Sequence, residues 1–208
     1  MMSRISTLVL AVLLSGCAGH KSTVAAPAQA TNWRAIITES DRVRLRDWRE
    51  SFTASIAAAR KAGNGLSIDR EGVLLDPDAA LGNAAPPAGN YQCRVIKLGT
   101  QGKSLAAYTV FPNYRCILSA EGQMMSFAKL DGIQRPVGLI FADSPNRQIF
   151  LGTMMLGDET LALQYGRDKT RDMLGTVERI GTNRWRMLLP YPHFESLMDV
   201  IELIPDHQ

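Results

Sequence analysis

The first chemistry that the sequence suggests is the attachment of a lipid to a cysteine thiol. Cys17 closes the tetrapeptide Leu14-Ser15-Gly16-Cys17, which ends an apolar run behind Arg4. That run is about ten residues long, which fits an export signal and falls well short of the roughly 20 residues of a membrane-spanning helix. The small residue before Cys17 leaves room for a thioether-linked lipid and for cleavage. The pattern predicts a lipoprotein signal peptide at residues 1–16 and membrane attachment through acyl chains, palmitate among them, on Cys17.

This interpretation places the mature protein in the bacterial cell envelope. Ala18 stands where lipoproteins retained at the inner membrane of enteric bacteria often carry Asp. By resemblance to that sorting pattern, we expect an outer-membrane lipoprotein that faces the periplasm. Two alternatives stay open: ordinary secretion with a chance cysteine after the apolar run, and a false start codon upstream of a cytosolic protein.

Disulfide formation is the second chemistry that the cysteines suggest. With Cys17 assigned to the lipid, Cys93 and Cys116 remain of the three cysteines, and an oxidising compartment permits a bond between them. Period-two alternation puts each on the apolar face of a strand, and we expect them to lie opposite each other. Such a bond contributes on the order of 3 kcal/mol. The alternative, a thiolate nucleophile at either position, has no base nearby in the sequence.

A small set of polar residues in the C-terminal half is suited to contact a ligand. Gln134 and Arg135 lie between a glycine turn and Pro136, and Arg presents a forked cation that matches a carboxylate or phosphate. His193 and Glu195 lie two residues apart and offer a base with a carboxylate. We select Gln134, Arg135, His193 and Glu195 as tentative ligand contacts. For Arg135 we favour a competing interpretation, in which it pairs internally or caps the end of a barrel.

The residue types give little support for a catalytic site or a metal-binding site. The three histidines are His20, His193 and His207, which nearly excludes a multi-histidine metal site. Ser196 follows Glu195, but the sequence lacks a Gly-x-Ser-x-Gly nucleophile elbow. We therefore name no catalytic residue, no metal ligand and no cofactor. Several carboxylates are available for acid–base chemistry, and we interpret them as solvated or salt-bridged: Asp158, Glu159, Glu195, Asp199 and Glu202.

The bulk composition is that of a globular protein. The 208 residues are 46% hydrophobic and 21% charged, with a net charge of +3, an ordinary balance for a folded domain. This near-neutral charge argues against a nucleic-acid partner. We expect one folded domain after a flexible tether at residues 17–32, whose small, polar and proline-containing sequence suits a linker between a lipid and a domain.

Residues 33–90 are predicted to form an amphipathic helix and a connector that pack on a barrel. Thr38 with Asp41 resembles a capping box, so the helix is expected to start near Thr38 or Ser40. Gly63-Asn64-Gly65 supplies residues that tolerate the conformation at a helix end. Between these signals, apolar residues recur at spacings of three and four along one helix face: Leu45, Trp48, Phe52, Ile56 and Ala59.

Residues 91–208 are predicted to form an antiparallel β domain. Short β-branched and aromatic segments alternate with turn residues at intervals of about 8–12, as in a barrel or sandwich. We predict an up-and-down β-barrel of about eight strands, because closure removes exposed edges, with the helix covering any opening that remains. A β-sandwich is the alternative. Ten candidate strands are expected to merge into eight or nine: 91–98, 106–111, 114–120, 124–130, 137–141, 148–155, 160–165, 173–180, 184–189 and 199–204.

Several short blocks give most of the mature chain a resemblance to a known family. Besides the helix with Trp48, they are Gly89-Asn90-Tyr91-Gln92-Cys93-Arg94 leading to Lys97-Leu98-Gly99, Tyr114-Arg115-Cys116, Gly132-Ile133-Gln134-Arg135 with Gly138, Phe150-Leu151-Gly152, Arg179-Ile180-Gly181 with Arg184-Trp185-Arg186, and Phe194-Glu195-Ser196 ahead of Glu202-Leu203. In combination they resemble the proteobacterial lipoproteins grouped as domain of unknown function 4893. The resemblance implies an envelope or secreted protein and implies no particular activity.

Two classes of function follow from these observations. The first is a non-catalytic binding or interaction module, in which a small barrel presents a pocket or a rim to a small ligand or another envelope protein. The second is an envelope hydrolase with dispersed catalytic residues, His193 and Glu195 among them. Convergence of the four tentative contacts on one concave pocket would favour a ligand site or an enzyme. Scatter would favour a structural or protein-contact role.

Overall fold

A closed barrel of eight antiparallel strands dominates the computed structural model, which describes residues 31–102 and 105–206. Each strand pairs with the next along the chain, and the last pairs with the first to close the barrel. The predicted up-and-down barrel is confirmed, and the sandwich is not found. The strands are β1 (Gly89–Leu98), β2 (Tyr108–Glu121), β3 (Met124–Lys129), β4 (Gln134–Ser144), β5 (Arg147–Leu156), β6 (Asp172–Gly181), β7 (Arg184–Pro190) and β8 (Met198–Pro205). The predicted signal peptide, Cys17, His20 and His207 lie outside the described residues.

Three of the ten candidate segments differ from the observed strands. The candidates at 106–111 and 114–120 form one strand, β2, whose pairing with β1 shifts register between Arg94 and Ile96. The candidate at 160–165 is part of the loop between β5 and β6, and Leu161 there is 84% exposed. Its alternation is typical of a strand, but every strand of a closed barrel already pairs on both sides, so no edge is left to receive it.

Alternation along the strands fills the barrel with apolar side chains. Tyr91 packs edge-on against Trp185 with ring centroids 6.4 Å apart, and Phe127 packs the same way against Phe150 at 5.7 Å. Both pairs lie in one buried cluster. The barrel interior is therefore a packed core over much of its length.

The helical segment before the barrel is interrupted where one continuous helix was predicted. Thr38 accepts a hydrogen bond from the backbone N–H of Asp41, which confirms the predicted cap, but the helix breaks at Asp47. Gly63, at φ +90°, breaks the helical path that follows, within the Gly63-Asn64-Gly65 segment predicted to stop the helix. The elements are α1 (Trp33–Ile36), α2 (Glu39–Arg46), α3 (Trp48–Ala59), a π-helical turn (Arg60–Asn64), α4 (Gly65–Glu71) and a 3-10 helix (Gly72–Leu75).

The helices pack against the outer wall of the barrel, which corrects the expectation that the helix covers an opening. Phe52 of α3 and Leu74 of the 3-10 helix pack in one cluster with outward-facing residues of β1, β7 and β8: Ile96, Leu98, Leu188, Met198 and Val200. These strands are apolar on both faces, so their outer face must also be removed from water. Trp33 and Leu45 cover β4, β5 and β6 in the same way.

The predicted disulfide between Cys93 and Cys116 is confirmed. The two residues are not directly opposite, as was expected: Cys93 pairs with Tyr114, and Cys116 pairs with Tyr91. The bond is thus a diagonal one across β1 and β2, with the Cα atoms 5.9 Å apart. Both cysteines still face the barrel interior, because a shift of two residues keeps every side chain on its own face.

The two ends of the barrel differ. The turns at residues 122–123, 145–146 and 182–183 make one end tight, whereas the described residues of the longer connections lie at the other: 99–102 with 105–107, 130–133, 157–171 and 191–197. We call the second the open end. None of the helices in the described ranges has the length and the apolar character of a membrane span.

Candidate functional site

A cavity of about 130 Å³ lies inside the barrel at the open end. Six apolar side chains, one from each of six strands, form most of its wall: Val95, Phe111, Pro136, Met154, Leu189 and Ile201. Charged and polar side chains complete it: Lys97, Lys129, Gln134, Glu195 and Asp199. A volume of this order holds a few water molecules or a small organic group.

One side of the cavity carries a lysine, Lys97, whose charge is balanced by two carboxylates. The Lys97 ammonium lies 3.1 Å from Glu195 Oε2 and 3.4 Å from Asp199 Oδ2, and its side chain is only 7% exposed. Burial raises the pKa of Asp199, and the charge of Lys97 opposes that rise. Ser196 donates a hydrogen bond to Asp199 from its hydroxyl. The charge of Lys97 is therefore balanced by carboxylates of the protein.

The β7–β8 loop that supplies Glu195 is held in place by the loop after β1. The Gln101 side-chain amide donates to the carbonyls of Pro192 and Ser196, and the Gln101 backbone N–H donates to Glu195 O. Glu195 itself has φ +65°, a left-handed conformation that is uncommon outside glycine and is held here by these contacts.

The other side of the cavity carries a second lysine, Lys129, whose hydrogen-bond acceptors are backbone carbonyls. Lys129, at the end of β3, is 4% exposed, and its ammonium donates to the backbone carbonyls of Asp131 and Gln134. It also lies 3.5 Å from the centre of the Tyr114 ring. Burial lowers the pKa of Lys129 to about 8, against a smaller rise from Asp131.

Gly132 allows the β3–β4 loop to close over this lysine. A Cβ atom at position 132 would lie 2.9 Å from Lys129 Nζ and 3.2 Å from the Tyr114 ring, and the residue has φ +85°. Glycine alone meets both conditions without strain. The β3–β4 loop thus closes beside the cavity, which Ile133 of the same loop lines; we call this part of the loop the lip at Gly132.

The structure brings two of the four tentative ligand contacts together. Gln134 and Glu195 both line the cavity. Arg135 lies on the outer face of β4, where it donates to the backbone carbonyls of Gly157 and Glu159, in line with the favoured interpretation that it caps the barrel end. His193 lies at the surface, and partial desolvation of its ring together with the charge of Arg44 lowers its pKa.

Among the described residues, no hydrogen bond joins His193 to Ser196 or to Glu195, the groups named for the hydrolase alternative. The Ser196 hydroxyl donates its single proton to Asp199, and the charges that act on His193 come from Arg44, Asp41, Asp172 and Asp168. No group of His, Cys, Asp and Glu side chains among residues 31–102 and 105–206 is arranged to hold a metal ion.

Sequence reasoning did not select Lys97, Lys129 or Asp199 as site residues. The signal for Lys97 was present, because it shares the parity of Cys93 on β1 and so falls on the predicted interior face. Asp199 shares the parity of the apolar residues Ile201 and Leu203 on β8 in the same way. A lysine or carboxylate on an interior face is unusual enough to mark a candidate site.

Exposed apolar side chains surround the open end. Half of the large apolar residues that are exposed in the described part of the chain lie on its four loops: Leu105, Leu130, Ile133, Leu161, Leu163 and Tyr191. We call this set the apolar rim. Concentrations of exposed apolar surface indicate contact with a ligand or a partner.

Comparisons with known proteins identify one similarity. The model of a family described as domain of unknown function (DUF4893) matches residues 33–203. No curated protein and no solved structure matches the chain.

Proposed function

The chain belongs to the DUF4893 family, whose model covers the helices and nearly all of the barrel, and we propose that it is a non-catalytic binding module of the bacterial cell envelope. Its barrel takes the apolar part of a small molecule into the cavity at the open end, and a lipid on Cys17 anchors it to a membrane. Because the family match carries no activity, the proposal depends on the geometry of the cavity.

The observation that carries this proposal is the placement of charged side chains inside a barrel that is otherwise apolar. Lys97, Lys129 and Asp199 are each at most 5% exposed, although a core of this size could be filled with apolar groups at lower free energy. Buried charges beside an open cavity with an apolar wall are typical of a ligand site.

The surroundings of the cavity support a binding role over catalysis. The apolar rim gives an amphipathic molecule a surface to contact on its way to the cavity, whereas Ser196 and His193 do not form a nucleophile–base pair. A protein partner on the rim is the other occupant that this end of the barrel suits, and the experiment below separates the two.

Native mass spectrometry of the full mature chain, extracted gently from its own envelope in mild detergent, tests the proposal. We expect wild-type protein to carry an additional small mass. In Val95→Phe, where the larger side chain enters the cavity, that mass should be lost. In Val110→Phe, the same change on the outer face of β2, it should be retained. A clean unliganded mass for wild-type protein would contradict a small ligand and favour a protein partner.

The lipid anchor has its own test. We expect Cys17→Ala to give a folded domain that no longer fractionates with membranes, because the thioether-linked lipid cannot form without the thiol. Membrane fractionation followed by detergent extraction measures this, with Cys17→Ser as a second variant. A Cys17→Ala protein that still depends on detergent for release would show that another feature holds it at the membrane.

A further inference from the structure

We propose that the cavity binds a small organic monoanion with an apolar body, and that the Lys129 ammonium holds the anionic group. This inference rests on the binding role proposed above and adds the chemical class of the ligand. The inference is based on the contrast between the two lysines of the cavity: Lys97 pairs with carboxylates, and Lys129 forms no such ion pair among the described residues.

Lys97 has two carboxylate partners, Glu195 and Asp199. Lys129 is as deeply buried, yet among the described residues it forms no ion pair with a carboxylate, and its two acceptors are backbone carbonyls. The nearest carboxylate in sequence, Asp131, is engaged by Arg115 on the outside of the barrel. A buried cation without a counter-charge is costly, which indicates that a counter-charge comes from outside the protein.

The donors of Lys129 leave room for such a group. An ammonium has three N–H donors, and the carbonyls of Asp131 and Gln134 accept two of them. The third has no hydrogen-bond acceptor among the described residues, and because Lys129 lines the cavity we assign this donor to a ligand. The Tyr114 ring, 3.5 Å from the ammonium, and the lip at Gly132 hold the lysine at the wall, so its position is fixed before the ligand arrives.

The remaining charges and the wall define the ligand further. Glu195 and Asp199 line the same cavity, and their carboxylates would repel a dianion such as a phosphate monoester. Beyond Lys129 the wall is made by side chains such as Met154, Pro136 and Ile201, which suit a short aliphatic or aromatic body. A monocarboxylate with an apolar body meets both conditions.

Calorimetric titration of the full mature chain with benzoate and with benzamide tests this inference, because the two differ in charge and little in shape. We expect benzoate to bind wild-type protein about tenfold or more tightly than benzamide, the size of effect that a charge-assisted hydrogen bond supplies. Lys129→Met should lose that preference and retain benzamide binding. Lys169→Met, the same change on the exposed β5–β6 loop of the open end, should bind both as wild type does.

Thermal unfolding of the same variants separates a ligand-binding role from a structural one. If Lys129 serves a ligand, Lys129→Met keeps or raises Tm, because the variant no longer buries an uncompensated charge. A clear fall in Tm would show that the lysine serves the fold and would overturn the inference. The control Lys169→Met is expected to leave Tm unchanged.

The pH dependence of benzoate affinity gives a further test of the role of Lys129. The groups that face Lys129 are Tyr114 from β2, Asp131 from the β3–β4 loop and Arg135 from β4, with Lys97, Glu195 and Asp199 across the cavity. With a pKa of about 8, Lys129 loses its charge as the pH rises through that value, so benzoate affinity should fall there. Benzamide affinity should stay level.

The possible results of the benzoate and benzamide titrations distinguish failure of this inference from failure of the proposed function. Equal binding of benzoate and benzamide to wild-type protein would leave the cavity as a ligand site but overturn the role of Lys129. Binding of neither probe would overturn this inference and, with a clean mass in native mass spectrometry, the proposed function as well.

Discussion

Replacing Gly152 by alanine is expected to destabilise the protein by about 4 kcal/mol or more, which is a large part of the stability of an ordinary domain. Gly152 pairs with Gly138 across β4 and β5. A Cβ atom on Gly152 would overlap the Val137 carbonyl oxygen and would lie 2.7 Å from the Phe150 ring and 2.9 Å from Gly138 Cα. Two of these contacts are with backbone, so strands β4 and β5 would have to separate to admit one methyl group.

Chemical denaturation measures this effect, with Gly65→Ala as the control. Gly65 begins α4, and a Cβ atom there meets only the end of the Arg60 side chain at 3.9 Å. In a helix, alanine is favoured over glycine by up to about 1 kcal/mol, so the control should be neutral or slightly more stable than wild type. Similar stabilities for the two variants would show that β4 and β5 relax more easily than this close approach implies.

Replacing Arg186 by methionine is expected to cost about 3–5 kcal/mol, the range seen when one partner of a buried ion pair is removed. Arg186 is completely buried between the barrel and the helices. Its guanidinium donates to Glu178 Oε2 at 2.9 Å and to the backbone carbonyls of Leu74 and Asp76. It also lies 5.2 Å from the centre of the Phe52 ring. Its loss would leave Glu178 charged and unpaired, and would release the 3-10 helix from the wall.

Two further variants identify the cause of this loss. Arg186→Met combined with Glu178→Met removes the unpaired charge and should be more stable in urea than Arg186→Met alone. Arg49→Met breaks an exposed pair with Asp78 and should cost at most about 1 kcal/mol. If the double variant were no more stable than Arg186→Met, the lost carbonyl contacts rather than the unpaired carboxylate would be the main cause.

The structure explains why several residues of the DUF4893 sequence blocks are needed for the fold. Gly138 and Gly152 are required where β4 and β5 approach closely, and Arg186 joins the helices to the barrel. Lys97 and Glu195 form an ion pair at the cavity. Most of the blocks thus describe the construction of the barrel, and only a few of their residues reach the candidate site.

The candidate site could be predicted only in part. Gln134 and Glu195 were selected from turn residues and charge, and both line the cavity. Arg135 and His193 were selected on the same grounds, yet neither lines it. A single step along a strand reverses the face, and for residues next to a turn the face depends on where the strand begins. Lys129 is the last residue of β3, so its interior position was equally hard to infer.

The features that could be predicted from the sequence are local: the antiparallel strands and their order, the helix cap at Thr38, the helix break at Gly63 and the disulfide. Each of these depends on residues near one another in the chain or on a simple alternation. Three features became visible only in the folded chain: the diagonal register of Cys93 and Cys116, the packing of the helices on the outer wall and the contrast between Lys97 and Lys129. These depend on closure of the barrel, which sets all eight registers together and so determines which distant side chains share one interior.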